Sequence, residues 1–170
     1  MTIAEYTSAH TSALKPTNLI FLRRQGQLLL AMKKRGFGAG RWNGAGGKVE
    51  SGETLAQSAA RETREEIGVV TGELIEVAVL KFYFEDDLND PVQNIICHVY
   101  VCNEWEGEPS ESEEMAPRWF GLGAIPYADM WPDDEFWLPQ VLAGEYVEGE
   151  FLFGAGDVVR DMSVHRRPRG

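Results

Sequence analysis

The sequence contains few cysteines, and their arrangement argues against two kinds of site. Only Cys97 and Cys102 are present among 170 residues. They stand five positions apart in a stretch that reads as a strand, so alternation would point them to opposite faces, which argues against a disulfide between them. No CxxC or Cys/His pattern surrounds them to bind zinc. We expect two buried free thiols and a reducing, cytoplasmic compartment.

The chain is also short of basic charge and of long apolar runs. Its 16 basic residues against 27 acidic ones give a formal net charge of −11, which opposes binding to nucleic-acid polymers and anionic membrane surfaces. No apolar run approaches membrane-spanning length, and residues 1–16 lack the regions of a signal peptide. We therefore expect no nucleic-acid polymer and no membrane as partner, and a small anionic ligand only where a cation mediates the contact.

What the sequence does contain is an ordinary globular composition, 44% hydrophobic, with strand and helix patterns. Residues 1–16 are weakly patterned and predict a loosely held arm, whereas residues 17–170 predict one mixed α/β domain. The segment DDEFWLPQVLAG predicts a helix that ends at Gly144. Strands are predicted at NLIFLRR, QLLLAMKKR, ELIEVAVLKFYFE, NIICHVYVCNEW, PRWFGL, EYVEGEFLF and DVVRDMSV, with turns at Gln25-Gly26 and DDLNDPVQ.

Another helix is predicted over residues 54–67 by its boundary signals. Thr54 with Gln57 three residues later fits a capping box, and Gly68 stands where a glycine usually ends a helix. At about 100° per residue, the small and apolar residues from Leu55 to Ile67 fall on one arc, which we expect to face the core.

Three glutamates of this helix border the apolar arc instead of lying opposite it. Glu62, Glu65 and Glu66 share a narrow arc, and Glu66 lies near the angle of Leu55. A solvated charged face would place carboxylates opposite the core, paired with arginines. Glu62 and Glu66 are instead like-charged i,i+4 neighbours, which destabilise a helix without a counter-ion. The pattern favours a divalent cation site over a solvated face, because magnesium prefers oxygen ligands.

The spacing around this helix resembles the signature of the Nudix hydrolases. Gly47, Glu53 and the run from Arg61 to Val69 fill every fixed charged or glycine position, with Thr63 where the family prefers an aliphatic residue. The resemblance implies an α/β fold, the Nudix α/β/α sandwich, in which a mixed β-sheet lies between helices. It also implies hydrolysis of a diphosphate linkage with Mg²⁺ as cofactor, for which Mn²⁺ is a possible substitute.

The same resemblance implies roles for the matching residues. The residues expected to be catalytic are Glu53, Arg61, Glu62, Glu65 and Glu66, with Arg61 orienting a carboxylate. Those expected to bind the metal are Gly47, Glu62, Glu65, Glu66 and, from outside the helix, Glu114. Those expected to lie against the phosphates or the metal are Gly46, Gly47 and Lys48.

The segment MWPDDEFW carries side chains that suit a purine base. Trp131 offers a flat surface for stacking, a contact worth roughly 1–3 kcal/mol per base. If Asp133 and Asp134 enter one apolar pocket, both are not expected to ionise, and one pKa should rise. The protonated aspartate would donate a hydrogen bond to the base and the ionised one would accept a hydrogen bond from it, which matches the edge of an oxidised guanine. If the proton moved to the other aspartate, the pair would match an oxidised adenine. The alternative is a helix N-terminus, where aspartates favour the helix dipole, and it is compatible with base contact.

From about Asn18 to Val164 the chain resembles a branch of the family, the oxidised purine nucleoside triphosphatases of mammalian MutT type. MKKRGFGAGRWNG and MWPDDEFW carry this resemblance, which implies a pocket where a tryptophan stacks on the base while aspartates and an asparagine read its edge. Asn18 stands where that branch has a smaller hydroxyl residue, and Lys33 also fits a solvated basic turn. The residues expected to bind substrate are Asn18, Lys33, Phe37, Asn43, Phe82, Phe84, Trp131, Asp133 and Asp134.

Together these features predict an enzyme that hydrolyses oxidised purine (deoxy)nucleoside triphosphates, such as 8-oxo-dGTP and 2-hydroxy-dATP, to monophosphate and pyrophosphate. It would act as a monomer in nucleotide pool sanitation and so in DNA repair. One alternative is a Nudix pyrophosphatase for another nucleotide, such as ADP-ribose, a dinucleotide or a methylated purine triphosphate. The other is a non-catalytic Nudix-like binding module, which would usually lack signature glutamates that are all present here.

Overall fold

A computed structural model describes residues 1–10, 13–85 and 94–169. These residues form a mixed β-sheet with helices on both of its faces. The helices are α1 (Ile3–Ala9), α2 (Leu55–Ile67) and α3 (Asp134–Leu142), and short 3₁₀ helices lie at Tyr127–Asp129 and Ala155–Asp157. The strands are β1 (Lys15–Arg24), β2 (Gln27–Lys33), β3 (Trp42–Asn43), β4 (Val70–Thr71), β5 (Ile75–Phe84), β6 (Ile95–Cys102), β7 (Trp105–Glu106), β8 (Met115–Gly121), β9 (Glu145–Gly154) and β10 (Val158–Pro168).

The sheet is mixed because some of its neighbouring strands run parallel. Across the described ranges its order is β10-β9-β5-β6-β1-β2-β3, and β8 pairs with β2. β1 runs parallel to β6 and β5 parallel to β9, whereas the β9–β10, β5–β6 and β1–β2 pairs are antiparallel. β4 and β7 form a separate short ladder. The central strands β1 and β6 therefore have both faces covered.

Alternation along β1 sends its side chains into two separate cores. Leu19 and Phe21 pack on the face that carries α3, where Phe21 contacts the ring of Trp137. Ile20 and Leu22 pack on the other face, against the apolar side of α2. Helices therefore cover both faces of the mixed sheet, and the predicted sandwich is confirmed.

Local sequence signals set the bounds of α2 and of the first hairpin. Gln25-Gly26 joins β1 to β2 as predicted. Thr54 and Gln57 form the predicted capping box of α2, and Gly68 ends the helix in the left-handed region at φ 75°. These predictions are confirmed. The sequence could support them because each depends on residues no more than a few positions apart.

Both cysteines are buried free thiols, as predicted. Cys97 belongs to the core on the α3 side of the sheet, and Cys102 to the core on the α2 side. The two thiols therefore lie on opposite faces of β6, as the five-residue spacing predicts.

The first ten residues differ from the predicted loose arm. α1 has a complete capping box between Thr2 and Glu5, and Tyr6 is 3% exposed. Tyr6 packs against Leu152 of β9. Phe151 and Phe153, on either side of Leu152, face α3, so Leu152 points to the other face of the sheet. Helix α1 therefore covers the face opposite α3. A seven-residue helix with one buried anchor has too little periodicity to be recognised from sequence. β1 also begins earlier than expected, at Lys15.

Two further expectations concern segments between these elements. The predicted turn DDLNDPVQ, residues 86–93, lies outside the described residues. Among the helices of the described ranges, none is both long enough and apolar enough to cross a membrane.

Candidate active site

Arg61 of α2 joins the carboxylates of the signature helix into one ion-pair cluster. Its Nε donates to Glu53 Oε2 at 2.7 Å and its Nη2 to Glu53 Oε1 at 3.0 Å. Its Nη1 reaches Glu62 Oε1 at 3.1 Å and Glu65 Oε2 at 3.2 Å. The Arg61 guanidinium holds the pKa of Glu53 at about 2, well below the usual range. Arg61 therefore fixes the orientation of three signature carboxylates.

Glu66 is the buried carboxyl group of this helix. It is 7% exposed, and the Gly46 N–H donates to its Oε2 at 3.4 Å. Burial raises the pKa of Glu66 to about 8, with the hydrogen-bonded and charged Glu62 carboxyl adding to the shift and Lys33 opposing it. Two carboxyl groups this close are stabilised either by a shared proton or by a cation between them.

Residues 44–48 come after β3, run antiparallel beside β1 and bring backbone atoms against the carboxylates of α2. Gly46 has φ 146°, and a Cβ there would lie 2.1 Å from the carbonyl oxygen of Asn18. A Cβ on Gly47 would lie 2.8 Å from Glu62 Oε1. Only glycine fits at position 46, and a side chain at position 47 would displace the Glu62 carboxylate. The turn and the helix together form an oxygen-rich cradle. Its donors are the oxygen type that magnesium prefers.

Two predicted metal ligands lie apart from this cradle. The Glu65 side chain is 61% exposed and pairs with Arg61, and Glu114 Oε1 lies 3.6 Å from Arg35 Nη2. Among the described residues, no three His, Cys, Asp or Glu side chains already converge on one metal position. Glu65 and Glu114 would have to rotate away from their arginine partners to join Glu62 and Glu66.

Asn18 does not lie at the edge of the base pocket, where the sequence analysis expected it. It is 3% exposed, its Nδ2 donates to Ser58 Oγ at 2.8 Å, and its Oδ1 accepts the Gly47 N–H at 3.3 Å. Like Ile20 two residues later, its side chain points to the α2 face of β1. Asn18 therefore supports the glycine turn from the side of the sheet opposite α3.

Three other predicted residues, Lys33, Lys48 and Asn43, take different positions around the glycine turn. Lys33, the last residue of β2, lies close enough to influence the charge of Glu66. Lys48 has an exposed side chain, while its carbonyl oxygen accepts from Arg61 Nη2 at 3.5 Å. Asn43 Oδ1 accepts the neighbouring Gly44 N–H at 2.8 Å, which leaves the Asn43 amide nitrogen as its remaining polar group.

Asp133 and Asp134 are buried side by side at the start of α3, each 3% exposed. Trp137 Nε1 donates to Asp133 Oδ2 at 2.8 Å, whereas Asp134 Oδ2 has no hydrogen-bond partner within the described residues. Asp133 occupies the N-cap position of α3 but its side chain makes no capping hydrogen bond. Both aspartates nevertheless stand at the helix N-terminus that the sequence offers as an alternative, a position that the helix dipole favours and that is compatible with base contact.

Burial changes the ionisation of both aspartates. It raises the pKa of Asp133 to about 6, against the opposing effect of the Trp137 N–H. It raises the pKa of Asp134 well above the usual range, and the charge of Asp133 adds to that shift. Near neutral pH both shifts favour one proton held by the pair, which gives a hydrogen-bond donor beside an acceptor.

Aromatic side chains from several elements surround Trp131. The Trp131 ring centroid lies 5.0 Å from that of Phe37 and 6.0 Å from that of Phe153. Phe84 lies 6.3 Å from Phe37 and 5.7 Å from Phe153, and Phe82 lies 6.0 Å from Phe153. Phe82, Phe84 and Trp131 thus surround Phe153, and Phe37 contacts Phe84 and Trp131. No local sequence signal predicts the role of Phe153, because only the parallel pairing of β9 with β5 brings it there.

Arg41 is another neighbour of Trp131 that the sequence analysis missed. Its Cζ lies 4.2 Å from the Trp131 ring centroid, and its Nη1 donates to Asp157 Oδ2 at 2.9 Å. One face of Trp131 is therefore covered by a cation, where the sequence reading expected an open surface. A cleft of about 620 Å³ opens between residues 36–41 and 128–132 beside this contact. No local pattern joins Arg41 to a partner 116 residues away.

The raised pKa of Asp134 predicts a pH-dependent stability effect. Asp134 is neutral in the folded chain over a pH range where the unfolded chain, with an ordinary pKa of 3.8, has ionised it. The contribution of Asp134 to stability is therefore complete below the pKa of the unfolded chain. It is lost as the pH rises through the higher pKa that Asp134 has in the folded chain. We expect Asp134→Asn to raise the free energy of unfolding at about pH 7, measured by urea denaturation, and to have little effect near about pH 4.

Asp129→Asn is the matched control, because Asp129 is exposed on the same segment and should show no such pH dependence. If Asp134→Asn and wild type had equal unfolding free energies at both pH values, Asp134 would not be a neutral buried acid.

Sequence comparison agrees with the geometry of the site. The family model for the NUDIX domain matches residues 15–141. The chain is 44% identical to the oxidized purine nucleoside triphosphate hydrolase of Danio rerio, over 85% of this chain and 90% of that protein. It is 43% identical to the protein of the same name from Mus musculus, over 86% of this chain and 91% of that protein.

Structural comparison agrees with the fold. The MutT protein from Bacillus halodurans superposes with a TM-score of 0.76 at 21% identity, over 89% of this chain and 97% of that one. A MutT NUDIX hydrolase from Burkholderia pseudomallei gives a TM-score of 0.59 at 27% identity, over 68% and 88%. Nudix hydrolases generally use divalent metal ions and act on small nucleotide substrates. With the signature cluster, the sheet and the matched region in agreement, the chain belongs to the Nudix hydrolase family.

Proposed function

We propose that this Nudix enzyme hydrolyses oxidised purine (deoxy)nucleoside triphosphates to monophosphate and pyrophosphate, with 8-oxo-dGTP and 2-hydroxy-dATP as substrates. The observation that supports this most strongly is the buried pair of Asp133 and Asp134 close to the aromatic cluster of Trp131. The two vertebrate relatives, at 44% and 43% identity, carry the name of that activity. Neither a sugar nor a second phosphate would require two buried acids of this kind.

The base would be read by stacking and by the ionisation difference between the two aspartates. Neutral Asp134 would donate to a carbonyl acceptor such as O6 of an oxidised guanine, while Asp133 would accept from the neighbouring ring N–H. Moving the proton to Asp133 would reverse donor and acceptor and suit an oxidised adenine. Asn43 would complete the edge contacts, and Trp131 with Phe37 would pack against the ring.

The phosphates and the proposed cation, magnesium with manganese as a substitute, would occupy the cradle on α2. When bound there, the cation supplies Lewis-acid polarisation of the phosphate oxygens and neutralises the developing charge. Arg61 keeps Glu53 ionised and the signature carboxylates oriented, and Lys33 adds positive charge beside Glu66. The residues proposed to hold the cation are Gly47, Glu62, Glu65, Glu66 and Glu114, and those proposed to contact the phosphates are Lys33, Gly46 and Lys48.

The same site weighs against the other functions considered. A dinucleotide or ADP-ribose pyrophosphatase leaves the buried aspartates without a role, although a methylated purine triphosphate would use them. A non-catalytic binding module would not need the Arg61 cluster, which is intact here. We further propose a cytoplasmic monomer that removes oxidised nucleotides before their incorporation into DNA, in keeping with two buried free thiols.

The proposed activity predicts a clear order of substrates. Pyrophosphate and monophosphate release would be measured with magnesium on 8-oxo-dGTP, 2-hydroxy-dATP, dGTP, dATP and ADP-ribose. We expect kcat/KM for the oxidised triphosphates to exceed that for dGTP and dATP by at least about tenfold, the effect of one well-placed hydrogen bond to the base. The fastest turnover on ADP-ribose would refute the base pocket but not the family chemistry.

Asp133→Asn should impair base recognition and leave the cation site intact. The single amide oxygen would accept the Trp137 N–H that Asp133 now accepts, which leaves an NH₂ donor toward the base where the carboxylate offers an acceptor. We therefore expect kcat/KM for 8-oxo-dGTP to fall by roughly 10- to 100-fold, mostly through KM. The magnesium concentration for half-maximal activity should stay as in wild type, and Glu135→Gln, at an exposed position of α3 outside the cleft, should behave as wild type. Equal turnover of 8-oxo-dGTP by Asp133→Asn and wild type would show that the pocket lies elsewhere.

Glu66→Gln should have the complementary effect. Loss of the carboxylate from the cradle should lower kcat by on the order of 10³-fold, the equivalent of about 4 kcal/mol of charge stabilisation. Binding of 8-oxo-dGMP, measured by calorimetry, should be retained because the base pocket is unchanged. Glu73→Gln, at an exposed position, serves as the control. Strong residual activity of Glu66→Gln would contradict its role at the cation.

A further inference from the structure

Helix α1 lies outside the matched family region, residues 15–141, yet it contacts the strand end that carries Phe84. The hydroxyl of Tyr6 donates to the Phe84 carbonyl oxygen at 2.6 Å and lies 3.2 Å from Asn94 Oδ1. The same Asn94 oxygen accepts the Phe84 N–H at 3.1 Å. A phenol and an amide from outside β5 therefore bind both backbone polar groups of one residue.

These contacts lie just beyond the last described pair between β5 and β6, which joins Phe82 to Ile95. Two residues further along, the backbone groups of Phe84 point to the same edge of β5 as those of Phe82. Because buried backbone groups need partners, Tyr6 and Asn94 satisfy both backbone polar groups of Phe84 from outside the strand. These hydrogen bonds fix the end of β5.

The side chain of Phe84 reaches the other face of the sheet and forms a wall of the aromatic cluster. Its ring lies 6.3 Å from that of Phe37 and is stacked 5.7 Å from that of Phe153. The helix itself is held in place, because the Ile3 N–H donates to Asp161 Oδ2 at 2.8 Å. A movement of α1 would therefore be transmitted through the Phe84 backbone to the pocket.

We propose that α1, through the Tyr6 hydroxyl, is a positioning element of the base pocket, an inference that rests on the proposed function. Tyr6 sets the position of Phe84 and so the affinity for the base. The carboxylate cluster on α2 shares no contact with Tyr6 among the hydrogen bonds described, so the chemistry at the phosphates is unaffected. The residues before β1 thus take part in substrate recognition.

Tyr6→Phe tests this role because it removes one hydroxyl and keeps the buried ring. We expect KM for 8-oxo-dGTP to rise about fivefold, the effect of one lost hydrogen bond, with kcat within about twofold of wild type. Thr7→Val removes an exposed hydroxyl from the same helix and should leave KM unchanged. In a Phe84→Ala background, Tyr6→Phe should cause no further rise in KM, because the side chain it positions is absent.

The possible outcomes are distinct. If Tyr6→Phe leaves KM unchanged, or raises it equally with and without the Phe84 side chain, Tyr6 has no positioning role, while the proposed function stands. If wild type shows no preference for 8-oxo-dGTP over dGTP, the function and the role of α1 both fall. If the Tyr6→Phe protein melts below the assay temperature, Thr2→Ala replaces it as the test, because it removes only the N-cap of α1. We expect Thr2→Ala to give a smaller rise in KM. An unchanged KM would overturn the proposal.

Discussion

In two places a pair of carboxyl groups lies side by side and largely buried. Two negative charges held this close repel each other, so each pair needs a neighbouring cation or a proton to be stable. Glu62 and Glu66 lie on α2, and Asp133 and Asp134 open α3. In the first pair Arg61 contacts Glu62, and either a proton on Glu66 or a divalent cation offsets the remaining charge. In the second pair one proton is retained because burial disfavours the second ionisation. Under the proposed function the two pairs would serve the two ends of a nucleotide, the phosphates and the base.

The two ends are connected by β1 and the glycine turn beside it. Odd-numbered side chains of β1 pack toward α3 and even-numbered ones toward α2, so one strand supports both sites. Asn18 on the α2 face holds the turn through Gly47, and the missing Cβ of Gly46 allows the turn to approach the strand. This one strand thus lies between the carboxylate cradle of α2 and the buried aspartates of α3, and under the proposed function their separation would match the length of the substrate.

Local features of the fold and of the site could be predicted from the sequence, and long-range ones could not. The cap at Thr54, the end of α2 at Gly68 and the grouping of Glu62 with Glu66 follow from spacing along one helix, and the structure contains all three. The adjacency of Asp133 and Asp134 also made their shared burial foreseeable.

What sequence reasoning missed depends on register and on distant partners. The contact of Arg41 with Asp157 and that of Tyr6 with Phe84 join residues far apart in the chain, and no local pattern encodes them. Asn18 was expected at the pocket edge, but the register of β1 turns its side chain to the other face. The helical periodicity of α2 predicts the position of Glu65 around the helix axis. It does not predict the side-chain rotamer of Glu65, which is set by the ion pair with Arg61.

The proposed function requires that the buried aspartates share one proton when the base is read. A ¹³C NMR titration of the carboxyl carbons of Asp133 and Asp134, with and without 8-oxo-dGMP, measures this directly, with the signals assigned by Asp133→Asn and Asp134→Asn. We expect one neutral carboxyl group at about pH 7, assigned to Asp134, that remains neutral in the complex. If both carboxyl groups instead titrated near the ordinary aspartate value of about 4, the two aspartates would not share a proton.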